Sequence, residues 1–279
     1  FDAIKITLIA IEISIFNFRI SSFCPRLTEG MTIDDVARGP SKLGLDFGRY
    51  SRCSIFLTVF TFTIFQVFIN RKVIMDFSAF DYSARKLWMF QDVVYSIEFM
   101  KALPIYHLLD DCSKRVLLAS AVTCANFTTA FYSYSHHSDR TYYPDGGTMS
   151  WSKEIQAESP NSTRFHTGII SAIREVQLDS REYTLLKMIL VCNPLLDGLS
   201  PCDIALLQNE KERCTKTLLS YVLARRGVND GPSTFVRLLS IIDVVTRLTS
   251  WQKSQHILIL AMGLWKYRVP FAETIFHSQ

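Results

Sequence analysis

Between Val116 and Phe131 the chain offers apolar or small side chains around the whole circumference of a helix, with no charge on any face. Such a helix is stable in water only when it is covered on every side. It therefore predicts a central element with further layers on both sides, and the rest of the chain must supply them.

The flanking pattern does so with helices. Leu87, Phe90, Val94, Ile97 and Met100 recur at three- and four-residue steps, a single apolar stripe that Pro104 ends. A helix is expected over about Phe165 to Val176. Asp179-x-x-Glu182 then forms a capping box opening a helix that Asn193-Pro194 closes. Ser200-Pro201-Cys202-Asp203 combines a cap, a first-turn proline and an acid, so a long helix should run to Arg226 with Gly227 just past its end. Gly231-Pro232-Ser233 opens another, with Phe235, Leu238, Leu239, Ile242, Val245 and Leu248 along one face, continuing through Ile257, Leu260 and Leu264. Tyr142-Tyr143-Pro144-Asp145-Gly146-Gly147 is a turn signature between aromatic residues and predicts one small β-hairpin over Ser133 to Ser152. The tail Val269 to Phe276 reads as a short amphipathic helix. The fold class expected is all-α and layered, in a compact part spanning residues 81–279.

Residues 1–80 read as irregular. Ala3 to Phe23 and Ser54 to Ile69 are rich in Ile, Phe and Thr without a clean period of two or 3.6, and the Thr, Phe and Val content of the second run favours extended structure over helix. The uncharged run Ser54 to Ile69 falls short of the roughly 20 residues that span a bilayer as a helix. A membrane tether, a β-prone segment and translated non-coding sequence all stay open for it. Seven scattered cysteines, odd in number and never spaced C-x-x-C, fit a reduced intracellular chain. A formal charge of +4 is too small to mark a nucleic-acid binder.

Enzyme signatures fail one by one: there is no G-x-S-x-G, no H-E-x-x-H and no Walker loop. His136-His137 near Asp139 lacks ligand spacing, so no metal site and no cofactor are expected. Lys101 and Glu273 suggest binding instead. Lys101 ends an apolar helix, and Glu273 lies in the tail helix among Phe271, Ile275 and Phe276, which must be buried somewhere. If the tail docks beside the end of the Lys101 helix, a hydrophobic groove gains a cation at one end and an anion at the other. A short partner helix with apolar anchors at i, i+3 and i+4 has free N–H groups for Glu273 and free carbonyls for Lys101.

Met100-Lys101-Ala102-Leu103-Pro104-Ile105-Tyr106-His107-Leu108-Leu109, followed by Ser113-Lys114-Arg115-Val116-Leu117-Leu118, resembles the signature of nuclear hormone receptor ligand-binding domains, A-K-x-[IV]-P-x-F-x-x-L then D-Q-x-x-L-L. Tyr132-Ser-Tyr134, Glu182-Tyr-Thr-Leu-Leu-Lys187 and Arg226-Gly227…Gly231-Pro232-Ser233 resemble the nematode branch of that family. The resemblance covers about Leu87 to Phe276. Lys114 departs from the usual glutamine, Thr234 from a common arginine, and Pro270 and Thr274 from the usual tail. Cys24-Pro-Arg26-Leu27-Thr-Glu-Gly30-Met31 resembles the end of the family's zinc-module DNA-binding domain, and Thr32 to Tyr50 the hinge after it. The cysteine quartets for two zinc ions are absent, so DNA contact would need zinc modules outside this sequence.

The resemblance implies a three-layer α-helical sandwich, a nuclear transcription factor, a coregulator helix peptide in a groove marked by Lys101, Lys114, Glu273, Phe271 and Ile275, and a small lipophilic ligand. The implied ligand pocket comprises Met89, Asp92, Val93 and Ser96, then Phe127, Ala130 and Phe131, with Tyr143, His256 and Leu260. Asp92 is the most testable, since a carboxylate facing an apolar cavity must find a polar ligand or partner. Homo- or heterodimerisation is expected through the Phe235 to Leu264 helices. A ligand-free helical interaction protein with a filled core is the alternative.

Overall fold

The computed structural model of the chain describes residues 2–24, 30–44, 86, 88–146, 160–263 and 270–277. They hold α1 (Asp2–Ile20), α2 (Ile33–Ala37), α3 (Trp88–Ala102), α4 (Pro104–Leu108), α5 (Asp111–Ala119), α6 (Ala121–Ser135), α7 (Pro160–Val176), α8 (Ser180–Val191), α9 (Pro201–Ala261) and α10 (Pro270–His277). The architecture is the helical sandwich. At its centre α6 touches α3, α7, α8 and α9.

Helix α6 is buried along nearly its whole length, and its polar side chains are satisfied internally. Thr128 and Ser133 donate to the carbonyls of Cys124 and Thr129, at 2.9 and 2.8 Å. Asn126 Nδ2 donates to Thr249 Oγ1 and Gln252 Oε1 on α9. The covered helix begins later than the sequence predicts. Ser120 separates α5 from α6 with a bend of 42°. Its hydroxyl donates to the Leu117 carbonyl at 2.7 Å, a local bond that competes with the helical ladder. No described helix is by itself long and apolar enough to cross a bilayer, and Ser54 to Ile69 lies outside the described residues.

The predicted caps form. Asp179 Oδ1 accepts from the Arg181 and Glu182 amides at 2.8 and 2.7 Å, and Glu182 Oε2 accepts from the Asp179 amide at 3.0 Å. Ser200 Oγ accepts from the Asp203 amide at 3.2 Å, with Pro201 opening α9. Gly227 adopts φ 78° and ψ 174°, which divides α9 into 201–226 and 228–261. The second half therefore starts before Gly231, and Pro232 lies inside it. At Gly231 a Cβ would come within 2.7 Å of the Leu223 side chain, which would have to shift to admit a larger residue.

Two further expectations are corrected. Residues 2–20 are helical, and α1 lies against α3 and α8 within the same body. Its Leu8, Ile15 and Phe18, at i, i+7 and i+10, are buried along one face, while Ile13 and Phe16 are exposed, so apolar residues on the outer face mask the period of the buried one. The predicted β-hairpin is not formed among the described residues, where residue 142 makes only an isolated bridge. The Tyr142 amide donates to Ser133 Oγ at 2.9 Å, Tyr143 stacks on Trp88, and Asp145 accepts from the Trp88 indole at 2.6 Å. The segment is thus folded onto α3 and α6, and 147–152 lies outside the described residues.

Candidate functional site

The C-terminal end of α3, α5 and α10 enclose a groove, and α2 lies in it, touching all three. Helix α10 is fixed by Phe271, Ile275 and Phe276, all fully buried. Burial stabilises a side chain of this size by about 1.5–3 kcal/mol, an upper estimate. Phe276 stacks on His256 at 4.2 Å and meets Phe90 edge-on at 6.5 Å. Phe271 and Ile275 therefore anchor the tail to the core.

Lys101 is 1% exposed. Its Nζ donates to the Val36 carbonyl at 3.2 Å and to Glu98 Oε1 at 3.3 Å. The first bond caps the C-terminus of α2, where helical carbonyls lack internal partners. Ile33 and Val36, three residues apart, are buried, and Met31 and Ala37 are partly buried against the same core. The start of α2 carries its own capping box. Thr32 Oγ1 accepts from the Asp35 amide at 3.3 Å, and Asp35 Oδ2 accepts from the Thr32 amide at 2.9 Å. The bond from Thr32 holds the Asp35 carboxyl below its ordinary range. On α10 the Phe271 amide donates to the Met31 carbonyl at 2.7 Å, and Glu273 is half-buried on that helix. Lys114 Nζ pairs with Asp111 at 3.1 Å, while Arg115 Nε meets Asp34 of α2 at 2.7 Å. Beyond α2, Ser41 Oγ donates to the Glu98 carbonyl at 2.8 Å and the Lys42 amide to Glu98 Oε2 at 2.6 Å.

The interior residues fall into three groups. Asp92 is buried in a bidentate pair with Arg19 of α1, at 2.8 and 2.9 Å, and also accepts from Thr129 Oγ1 at 2.6 Å. Ser96 Oγ donates to the Asp92 carbonyl at 2.8 Å. Tyr143 belongs to the same neighbourhood: burial first, then the Asp92 charge, push its phenol well above the usual range. Phe127 and Phe131 converge on Tyr183, at 5.0 and 3.9 Å between ring centres. His256 sits under α10, while Val93 and Ala130 are buried and Leu260 is partly buried against the core. The Met89 side chain lies outside the described residues. Arg19 itself, stacked 4.4 Å over Tyr132, was not singled out from sequence. Only its place between Phe18 and Ile20 in a segment rich in Ile and Phe hinted at a buried partner.

A cavity of about 340 Å3 lies elsewhere, between α6, the turn after α8, the second half of α9 and α10. Thr123, Leu196, Lys253 and Phe276 line it, and none of the predicted pocket residues does. Burial lowers the Lys253 ammonium to about 8. Along 228–261, Val228, Val236 and Leu258 are exposed. No group of three metal-ligating side chains occurs among the described residues.

Comparison with known proteins agrees with this architecture. Residues 74–262 match the ligand-binding domain of nuclear hormone receptor. Nuclear hormone receptor family member nhr-136 of Caenorhabditis elegans is 33% identical over 171 residues, 60% of this chain and 39% of that protein. Family members nhr-153 and nhr-60 of the same nematode are 31% and 28% identical, each over 63% of this chain and over 43% and 38% of their own lengths. The chain thus spans about two fifths of the curated relatives it matches. With the signature residues on α3 to α5, the capped α8 and the layered helices around α6, the chain belongs to the nuclear hormone receptor ligand-binding domain family, whose members are transcription factors and not enzymes.

Proposed function

We propose that the groove between α3, α5 and α10 recruits a coregulator by docking a short amphipathic helix, and that the chain serves as the regulatory domain of a transcription factor acting in the nucleus. One observation carries this reading: Lys101 Nζ lies 3.2 Å from a C-terminal carbonyl of a short helix whose apolar i and i+3 side chains are buried in that groove. Those are the needs of a docked helix. Glu273, on the helix closing the other side, is assigned the N-terminal end. Titration of a fluorescent Leu-x-x-Leu-Leu helix peptide tests this by anisotropy. Saturable binding to the wild type is expected, with loss of binding and little change in Tm for Glu273→Lys. Equal affinity for both versions would remove Glu273 from the site.

A lipophilic small molecule is the expected effector of a family named for ligand binding. A ligand would act by favouring one seating of α10, to the extent that it binds that state more tightly. The exposed apolar side chains of 228–261 are the proposed dimer face. The ligand-free alternative is favoured by one specific observation: Asp92 is already satisfied by Arg19 and Thr129. Native mass spectrometry separates the two, a co-purified lipid supporting the receptor and a bare protein supporting the alternative.

A further inference from the structure

We infer that α2 is a built-in competitor for the helix-docking groove, an autoinhibitory segment that an external helix must displace. The inference rests on the groove reading above. It adds the regulation of that site.

Four features of residues 31–42 make the case. Ile33-Asp34-Asp35-Val36-Ala37 presents apolar side chains at i, i+3 and i+4, and the first two are buried in the groove. Its C-terminal carbonyl at Val36 takes the Lys101 ammonium, a cation buried at the end of α3. Its acid Asp34 meets Arg115 on α5, so charge as well as shape is matched. The segment is also fastened on both sides, by the Phe271 amide on the Met31 carbonyl and by Ser41 and Lys42 on Glu98. Tethering raises its local concentration to the order of millimolar. A weak occupant then suffices to compete with a partner in solution.

The same features make α2 releasable. It has five residues, too few to persist as a helix in water once detached. Its two buried side chains sit at the edge of the core, each 8% exposed, and its pairing with Arg115 is solvent-exposed. The apparent affinity of an external helix is reduced by the fraction of molecules in which α2 is seated. The seated segment also describes what a displacing partner needs: aliphatic anchors at i, i+3 and i+4, with an acid after the first anchor to meet Arg115.

The test uses the whole chain and the fluorescent Leu-x-x-Leu-Leu peptide. Ile33→Asp combined with Val36→Asp should detach α2 and tighten peptide binding by about tenfold or more relative to wild type. An unlabelled peptide with the sequence of residues 30–40 should compete for the groove of the released variant. Equal, measurable affinity of wild type and released variant would overturn the inference while leaving the groove intact. Absence of binding to both would overturn the groove reading itself, and the inference with it. Far-ultraviolet circular dichroism checks that the variant is folded. Should it unfold, Arg115→Glu, which repels Asp34 at the surface, replaces it and should raise affinity for a peptide lacking acids; no gain would count against α2 as competitor.

Discussion

Helices α1 and α2 both come from the first forty residues and both lie on α3, yet they are held in different ways. The end of α1 is tied in by charge. Arg19 forms a bidentate pair with Asp92, Lys86 Nζ donates to the Phe18 and Arg19 carbonyls at 3.0 and 3.2 Å, and Glu12 pairs with the fully buried Lys187 at 2.7 Å. Burial by itself lowers the Lys187 ammonium, but Glu12 and Tyr183 more than offset it and the net shift is upward. Helix α2 has two aliphatic side chains at a rim, Lys101 on its Val36 carbonyl and a solvent-exposed Asp34–Arg115 pair. A buried ion pair that loses one partner is strongly destabilising, whereas a rim contact is given up at small loss. The first segment is part of the fold, and the second behaves as a ligand of it.

The largest expected effect breaks the first half of that contrast. Arg19→Met removes the cation that pairs with the buried Asp92, leaving Thr129 as its remaining side-chain partner, and should destabilise the domain by about 3–5 kcal/mol, read as a lower denaturant midpoint. An unchanged midpoint would mean that α1 is not integral. Next comes Ile33→Ala in α2, which should lower stability by no more than about 1–2 kcal/mol, because its site is at the rim and can collapse. A loss as large as that of Arg19→Met would make α2 part of the core. A separate, pH-dependent effect concerns Lys253. Its folded pKa of about 8 lies below the ordinary lysine value, so between the two the unfolded chain binds more protons. Stability should therefore rise as pH increases from about 8 towards the ordinary lysine range near 10.4. Lys253→Met should flatten that slope and raise Tm near neutral pH; a slope unaltered by the substitution would place its origin elsewhere.

Much of the frame is legible in the sequence. Asp179-x-x-Glu182, Ser200-Pro201 and Gly227 announce their caps and kink through local chemistry, since each needs only neighbours in sequence. The buried tail follows from Phe271, Ile275 and Phe276 on one face of a short helix. Helix α1 was not legible, because apolar residues such as Ile13 and Phe16 also stand on its exposed face and hide the 3.6-residue period of the buried Leu8, Ile15 and Phe18. The bend at Ser120 depends on a single hydroxyl choosing the Leu117 carbonyl. Asp92 was marked as needing a partner, but its arginine stands 73 residues away, and nothing in either local sequence points to the other. Five residues of α2 are too few to show a period at all, so its seat on Lys101 emerged only from the fold.

Hydrogen–deuterium exchange of the whole chain, with and without a saturating Leu-x-x-Leu-Leu peptide, tests the central claim most directly. The account predicts faster exchange at the amides of residues 33–38 when peptide is added, protection of α5 and α10, and no change in α1. Protection or indifference at 33–38 while the peptide is bound would show that the groove between Lys101 and Glu273 is not where a partner helix docks.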